Sequence, residues 1–304
     1  MGKMNWVWLA VGLALASAGL TGCGGDGAGG GDAAAPATEL RVGWVRDGAL
    51  PALDPLASAW DEAVEVSVQM LPQDVMEPRV PETTPTRVSL KGLHDGKRVA
   101  FRLVWADSEP QALIDVDRSS DAVAIQLPAT GAGGPLPDAM MGEGGKPVLI
   151  AQWRLALQER LEGKPYGIKA LYPNAVNDHY PFEGARDPST RRVMETRYAP
   201  ARAAGNPVAA AEVTSAVQDL VAEGFGSLAF SGKPVSTGKG VHRDGKWHVT
   251  ISRPLDLEPG AKTVLRPGAS TYIALAIWDG GKRQTGSKKM RSIWVPLSVE
   301  GVEP

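Results

Sequence analysis

The chain has 304 residues, 43% of them hydrophobic, with a formal net charge of −2. That length supplies one or two buried cores, and the near-neutral balance gives no basic surface of the kind that holds nucleic acid. Cys23 is the only cysteine, so disulfides and cysteine-ligated zinc or iron–sulfur centres are excluded.

The first segment, "MGKMNWVWLAVGLALASAGLTGC", has Lys3 as its positive start, an apolar run from Trp6 to Leu20, and small residues before Cys23. This is the pattern of a secretory signal, too short for an ordinary transmembrane span. "LTGC" resembles the processing box of bacterial lipoproteins, in which the cysteine thiol is lipidated and becomes the new N-terminus. The resemblance implies a signal peptide and lipobox cysteine over residues 1–23, and loss of Lys3 leaves a mature charge of −3. It also implies a domain anchored by lipid in the bacterial cell envelope, on the periplasmic side. Gly24 stands where an inner-membrane retention aspartate would, which points to the outer membrane.

Residues 24–39, "GGDGAGGGDAAAPATE", have no hydrophobic periodicity and read as a flexible tether, spanning about 20–25 Å root-mean-square. From Leu40 onward, short apolar runs alternate with Gly, Pro and Asp-Gly. "RVSLKGLHDGKRVAFRLVWAD" predicts a hairpin turning at Asp95-Gly96, and "KGVHRDGKWHVTISRPL" a second at Asp244-Gly245, because Asp-Gly accepts the positive φ of a tight turn. "DAVAIQLP", "KPVLIAQW" and "STYIALAIWDG" are further strands. "NPVAAAEVTSAVQDLVAEGFG" predicts a helix, with Asn206 as cap, Gly224 as stop, and Val213, Val217, Leu220 and Val221 on one face. Residues 161–188 are polar, aromatic and irregular, a long loop of the kind that carries function or wraps a partner. Short strands at regular spacing favour a β-sandwich or barrel over residues 40–304.

The last strand poses a chemical question. Val295, Leu297 and Val299 have the period-2 spacing of a buried face. Extending that alternation back through "SKKMRSI" places Ile293, Arg291 and Lys289 on the same side. A lysine and an arginine there either lie on a solvated strand end or lead toward an apolar interior.

Enzyme signatures are absent. His94, His179, His242 and His248 have no zinc-like spacing, and there is no nucleophile elbow, P-loop or dinucleotide fingerprint. "STGK" at 236–239 stands alone. Without C-x-x-C-H, covalent c-type haem is excluded. The nine tryptophans suit either a sandwich core or stacking on sugars.

Taken in order, "DPLASAWDEA", "VSLKGLHDGKRVAFRLVWAD", "DAVAIQLP", "MMGEGGKPVLIAQWR", "LYPNAVNDHYP", "AEGFGSLAF", "GKGVHRDGKWHVTISRPL" and "ALAIWDGGKRQTGSKKMRSIWVPL" resemble the haem b-binding γ subunits of ethylbenzene dehydrogenase, dimethylsulfide dehydrogenase and related molybdenum enzymes. The resemblance implies an all-β fold, a DOMON-like antiparallel β-sandwich with a short helix and long loops. It implies one non-covalent haem b per chain, its iron held between a methionine and a lysine. Met141, before Gly142, matches the family's methionine, with Met140 the alternative. The spacing to Ser292-Ile293-Trp294 selects Lys289, with Lys288 the alternative. Arg291, on the Lys289 face by the alternation above, would pair with a haem propionate. The implied role is an electron-transfer subunit, not itself an enzyme, whose partners are a molybdenum enzyme with its iron–sulfur subunit or a c-type cytochrome. The lipid anchor at Cys23 departs from the usually soluble γ subunits. Two other readings keep the fold without haem: an extracytoplasmic carbohydrate- or ligand-binding module, and a structural accessory subunit.

Overall fold

The computed structural model describes residues 38–302 except 47–48, 113, 116–117, 130–133, 167, 177–186, 204–205, 207–208, 210–211, 233 and 256–264. Cys23, residues 24–37 of the tether and His179 lie outside the described residues. Period-2 alternation underlies the strands: β1 (Leu40–Trp44), β2 (Val66–Gln69), β3 (Arg87–His94), β4 (Arg98–Ala106), β5 (Ala122–Pro128) and β6 (Val148–Arg154). After the described helices come β7 (Val217–Ala222), β8 (Ala229–Phe230), β9 (Thr237–Arg243), β10 (Lys246–Pro254), β11 (Ser270–Trp278), β12 (Met290–Arg291) and β13 (Val295–Val299). The helices are α1 (Leu155–Leu161), α2 (Ile168–Leu171), α3 (Pro188–Tyr198) and α4 (Pro200–Ala203). Among the described residues no helix is long and apolar enough to cross a membrane.

The strands run β8-β7-β6-β5-β11-β13-β1-β3-β4-β10-β9, with β12 beside β11 and β2 beside β3. β11 joins two layers. Its first half pairs with β13, while its second half pairs with β5 and β12. The layers fold face to face as a sandwich, as the contact of Trp153 on β6 with Trp247 on β10 shows, ring centroids 5.1 Å apart and edge-on. Between them lie Val123, Ile125, Leu275 and Ile277 from one layer and Phe101, Leu103, Val249 and Ile251 from the other, all at most 2% exposed. Each such side chain contributes about 1.5–3 kcal/mol through removal from water. Trp60, Trp105, Trp153 and Trp247 are buried, so four of the tryptophans serve the interior.

Both Asp-Gly hairpins form where expected. Gly96 has φ 84°, and Asp244 and Gly245 have φ 51° and 68°, the left-handed pair that matches strand twist. The all-β expectation holds, with one modification: β1 runs parallel to both β13 and β3, so the sheet is mixed. Among the described residues, the helix expected from Asn206 to Gly224 is not there. Val217–Ala222 is β7, paired along its length with β6. Its residues also satisfy a period of two, with Leu220 and Ala222 buried on one face and Val217 buried on the other. Pairing with the open edge of β6 overrides local helix propensity. His94, just before the first Asp-Gly turn, ends β3 fully buried, and burial holds its pKa below the usual histidine range.

Three carboxylates, Asp107, Asp121 and Asp279, converge within 4.8 Å in buried positions. Burial, opposed by hydrogen bonds from the Gln111 and Gly280 backbone amides and reinforced by Asp107, raises the Asp121 pKa to about 7. The folded state then holds a proton that the unfolded chain releases above pH ~4. This contribution to stability is complete below pH ~4 and is lost as pH rises through about 7, amounting to at most ~4 kcal/mol. Denaturant midpoints should therefore fall between those pH values, and Asp121→Asn should flatten the slope whatever it does to absolute stability.

Candidate functional site

β5 and β11 carry large side chains on one face and small ones on the other. Val123, Ile125, Leu275 and Ile277 enter the sandwich, while Ala122, Ala124, Ala274 and Ala276 face away from it. The two strands are in register, with Ala276 opposite Ala124, Trp278 opposite Ala122 and Ala274 opposite Gln126. Side by side, the alanines leave a shallow floor outside the sandwich. Ile150, Gln152 and Arg154 of β6 and Leu220 of β7 continue it, and the segments bearing Met76, Met141, Phe225 and Lys289 rise around it. The result is a cavity of about 340 Å³, within the range of small-molecule and cofactor sites.

Met141 enters this cavity because of an unusual backbone. Met141 and Gly142 both have φ 76°, a left-handed conformation that costs a non-glycine residue about 1 kcal/mol or more and concentrates at functional sites. At position 142 only glycine fits, since a Cβ would lie 2.8 Å from the Lys146 carbonyl oxygen. The bend is pinned by Gly142 N–H to the Asp138 carbonyl (2.9 Å) and Gly224 N–H to the Met141 carbonyl (2.8 Å). Trp294 holds the same segment through its indole N–H, 2.7 Å from the Pro137 carbonyl. The Met141 side chain packs against Ala124, Val148, Ile150, Leu220 and Ala222.

Lys289 meets it from the other wall. Its Nζ donates to Met141 Sδ at 3.3 Å and lies 5.5 Å from the Trp278 ring centroid. Burial, and secondarily the neighbouring Arg291 cation, push the amine pKa below the ordinary lysine range, favouring the neutral form. Met140 and Arg291 line the same cavity, whereas Lys288 does not. Arg291 is also ion-paired to Asp74 at 3.4 Å.

Lys289 reaches the cavity by a route that the alternation did not foresee. In β12, Ile277 pairs with Met290 and Ala276 with Arg291, but in β13 Ile273 pairs with Val295. One residue more lies between these pairs on the C-terminal strand than on β11: a β-bulge, which inverts the facing. Met290, fully buried, takes the core side; Lys289 and Arg291 point to the opposite face from Val295 and Leu297, and Ile293 is exposed. Ser292 stabilises the bulge, its Oγ accepting the Leu275 N–H at 2.8 Å and its N–H donating to the Leu275 carbonyl at 2.9 Å. The expectation that Lys289 shares a face with the C-terminal core residues is thus corrected, while its presence beside Met141 stands.

The structure adds residues that the sequence reading passed over: Arg154, Gln152, Trp278 and the four alanines. The alternation of alanine with large apolar residues in "DAVAI" and "IALAI" was the available signal. As a test of fit, a thioether and an amine biased toward neutrality are a soft and a borderline donor suited to iron. Their 3.3 Å contact is shorter than a metal–nitrogen and a metal–sulfur bond end to end, about 4.3 Å, so the two walls touch across the site.

The protein named "Putative respiratory nitrate reductase heme subunit ORF7" of Haloferax mediterranei is 22% identical over 269 residues, covering 86% of this chain and 73% of that one. Among solved structures, a family 9 carbohydrate-binding module of Caldicellulosiruptor kristjanssonii with glucose superposes at a TM-score of 0.40, with 8% identity, covering 87% of this chain and 96% of that one. Its cellotriose complex gives 0.40 at 9% identity, covering 87% and 94%. Residues 57–290 match the family described as ethylbenzene dehydrogenase. That match takes in most of the chain, both walls of the cavity and its floor, and the protein belongs to the ethylbenzene dehydrogenase family.

Proposed function

We propose that the alanine-floored cavity holds one non-covalent haem b, with Met141 and Lys289 as its axial ligands, and that the protein relays electrons within an oxidoreductase complex. The observation that carries this reading is the meeting of Met141 Sδ and Lys289 Nζ across the cavity. When bound, haem supplies a one-electron ferric/ferrous couple. The protein's part is to bind and orient it. The left-handed Met141 and the bulge at Ser292 aim the two donors, burial biases Lys289 toward the free amine that can coordinate, and apolar walls limit water. Two protein ligands leave no place for a substrate at the iron, which favours a relay over an enzyme. Met140, on the same wall, is the alternative thioether, and Arg291 is placed to meet a propionate. The Haloferax relative's name, a nitrate reductase heme subunit, supports the same role.

The reading extends to location and partners. Lipidation at Cys23 and the tether of residues 24–39 would hold the domain at the bacterial envelope, facing the periplasm. A molybdenum oxidoreductase with its iron–sulfur subunit, or a c-type cytochrome, would exchange the electron. The test is an absorption spectrum of the protein from a haem-sufficient host, oxidised and then dithionite-reduced, with a pyridine haemochrome assay. A low-spin b-type spectrum at about one haem per chain is expected; a folded protein that stays colourless after haem is added would overturn the reading.

A further inference from the structure

Arg154 is the cavity residue whose chemistry is least complete. On the outward face of the sheet, Arg154 lies opposite Ala122, and Ala122 opposite Trp278. The β11–β12 register, Ile277 to Met290, places Lys289 next in the same row. Two cationic side chains therefore end a row of four strands, about 14 Å apart at the backbone by three strand spacings. Between them in that row stand Ala122 and Trp278, and Ala124, Ala274 and Ala276 continue the floor beside it. A flat ligand fits such a floor, and the Lys289 end is taken by Met141.

At the other end the guanidinium has a neutral partner only. Gln152 Oε1 accepts from Arg154 Nε at 3.2 Å and from Nη2 at 3.0 Å. Among the described residues no carboxylate pairs with it, and burial alone pulls its pKa down. Lysine can answer such desolvation by losing its proton; arginine cannot. A partly buried cation without an anion is unfavourable unless something else supplies the charge. Arg291, by contrast, already has Asp74. We infer that Arg154 receives a carboxylate of the ligand on the alanine floor. Resting on the haem reading above, that carboxylate is a propionate, held by charge-assisted hydrogen bonds.

The experiment compares binding of haem and of haem dimethyl ester, which lacks both carboxylates, to the full chain and to Arg154→Met. The wild-type protein is expected to prefer haem over the ester, and R154M to lose haem affinity on the order of ten- to a hundredfold while binding the ester as before. The ligand-free R154M protein should melt at the same or a higher temperature, because an unpaired, partly buried charge has been removed; a purely structural arginine would give a lower one. Equal wild-type affinity for haem and ester, or an equal loss of both in R154M, would overturn the role of Arg154 and leave the haem reading standing. A wild-type protein that binds neither would overturn both. Should R154M fail to fold, the wild-type comparison of the two ligands still decides.

Discussion

Lys289→Ala, produced with haem, is expected to lose the low-spin b-type spectrum, with a shifted Soret band and a large fall in haem affinity. The argument rests on position and charge. Lys289 Nζ is the amine within reach of Met141 Sδ, at 3.3 Å, and its burial favours the neutral form. Loss of a partner once removed from a metal costs roughly 10–100-fold in affinity, and loss of a ligand itself should cost more. Met141→Ala should act alike, while Lys288→Ala and Met140→Ala should leave the spectrum unchanged. The pH dependence has a definite sign: acid protonates the amine and removes the ligand, so the low-spin signature should disappear on acidification, at a pH below the ordinary lysine range. Retention of the wild-type spectrum in Lys289→Ala with its loss in Lys288→Ala would move the ligand by one residue and keep the cofactor.

Gly280→Ala should destabilise the fold by about 3–5 kcal/mol, near the upper end for a single substitution. A Cβ at 280 would overlap the Ser119 carbonyl oxygen and lie 2.7 Å from its carbon and 3.0 Å from the Asp121 amide nitrogen. These are backbone atoms with no rotamer to escape into. Gly280 is itself held there, its N–H donating to Asp121 Oδ1 at 2.8 Å and its carbonyl accepting from Ser119 N–H at 3.2 Å. Chemical denaturation of Gly281→Ala is the control. Its nearest neighbour would be Asp279 Oδ1 at 3.4 Å, so stability should change by no more than about 0.5 kcal/mol. Because Ser119 and Ser120 line the cavity, Gly280→Ala should also weaken ligand binding where its neighbour does not.

What could be read from the sequence was local. The Asp95-Gly96 and Asp244-Gly245 turns need only their own φ angles and the alternation beside them, and both formed as expected. β7 was misread because "VQDLVA" fits either period, and the deciding partner, β6, lies more than sixty residues earlier. Lys289 was placed in the site by resemblance; the strand-parity argument behind it failed because the Ser292 bulge depends on β11, which alternation along one strand cannot see. Arg154 left no local trace at all. Its significance comes from standing three strands away from Lys289 across a floor made by two other segments.

The sheet's two ends bear on how the protein behaves among copies of itself. β8 is only two residues long, and β9 at the other end has one side unpaired by any strand among the described residues. There the Gln158 side chain of α1 takes the place of a neighbour. Its Oε1 accepts the Gly240 N–H at 2.7 Å and its Nε2 donates to the Gly240 carbonyl at 2.9 Å. An open edge is a template for pairing with another chain. At the middle of β9 that template is filled by an amide of the same molecule, so the arrangement opposes edge-to-edge aggregation and helps keep a long mixed sheet from polymerising.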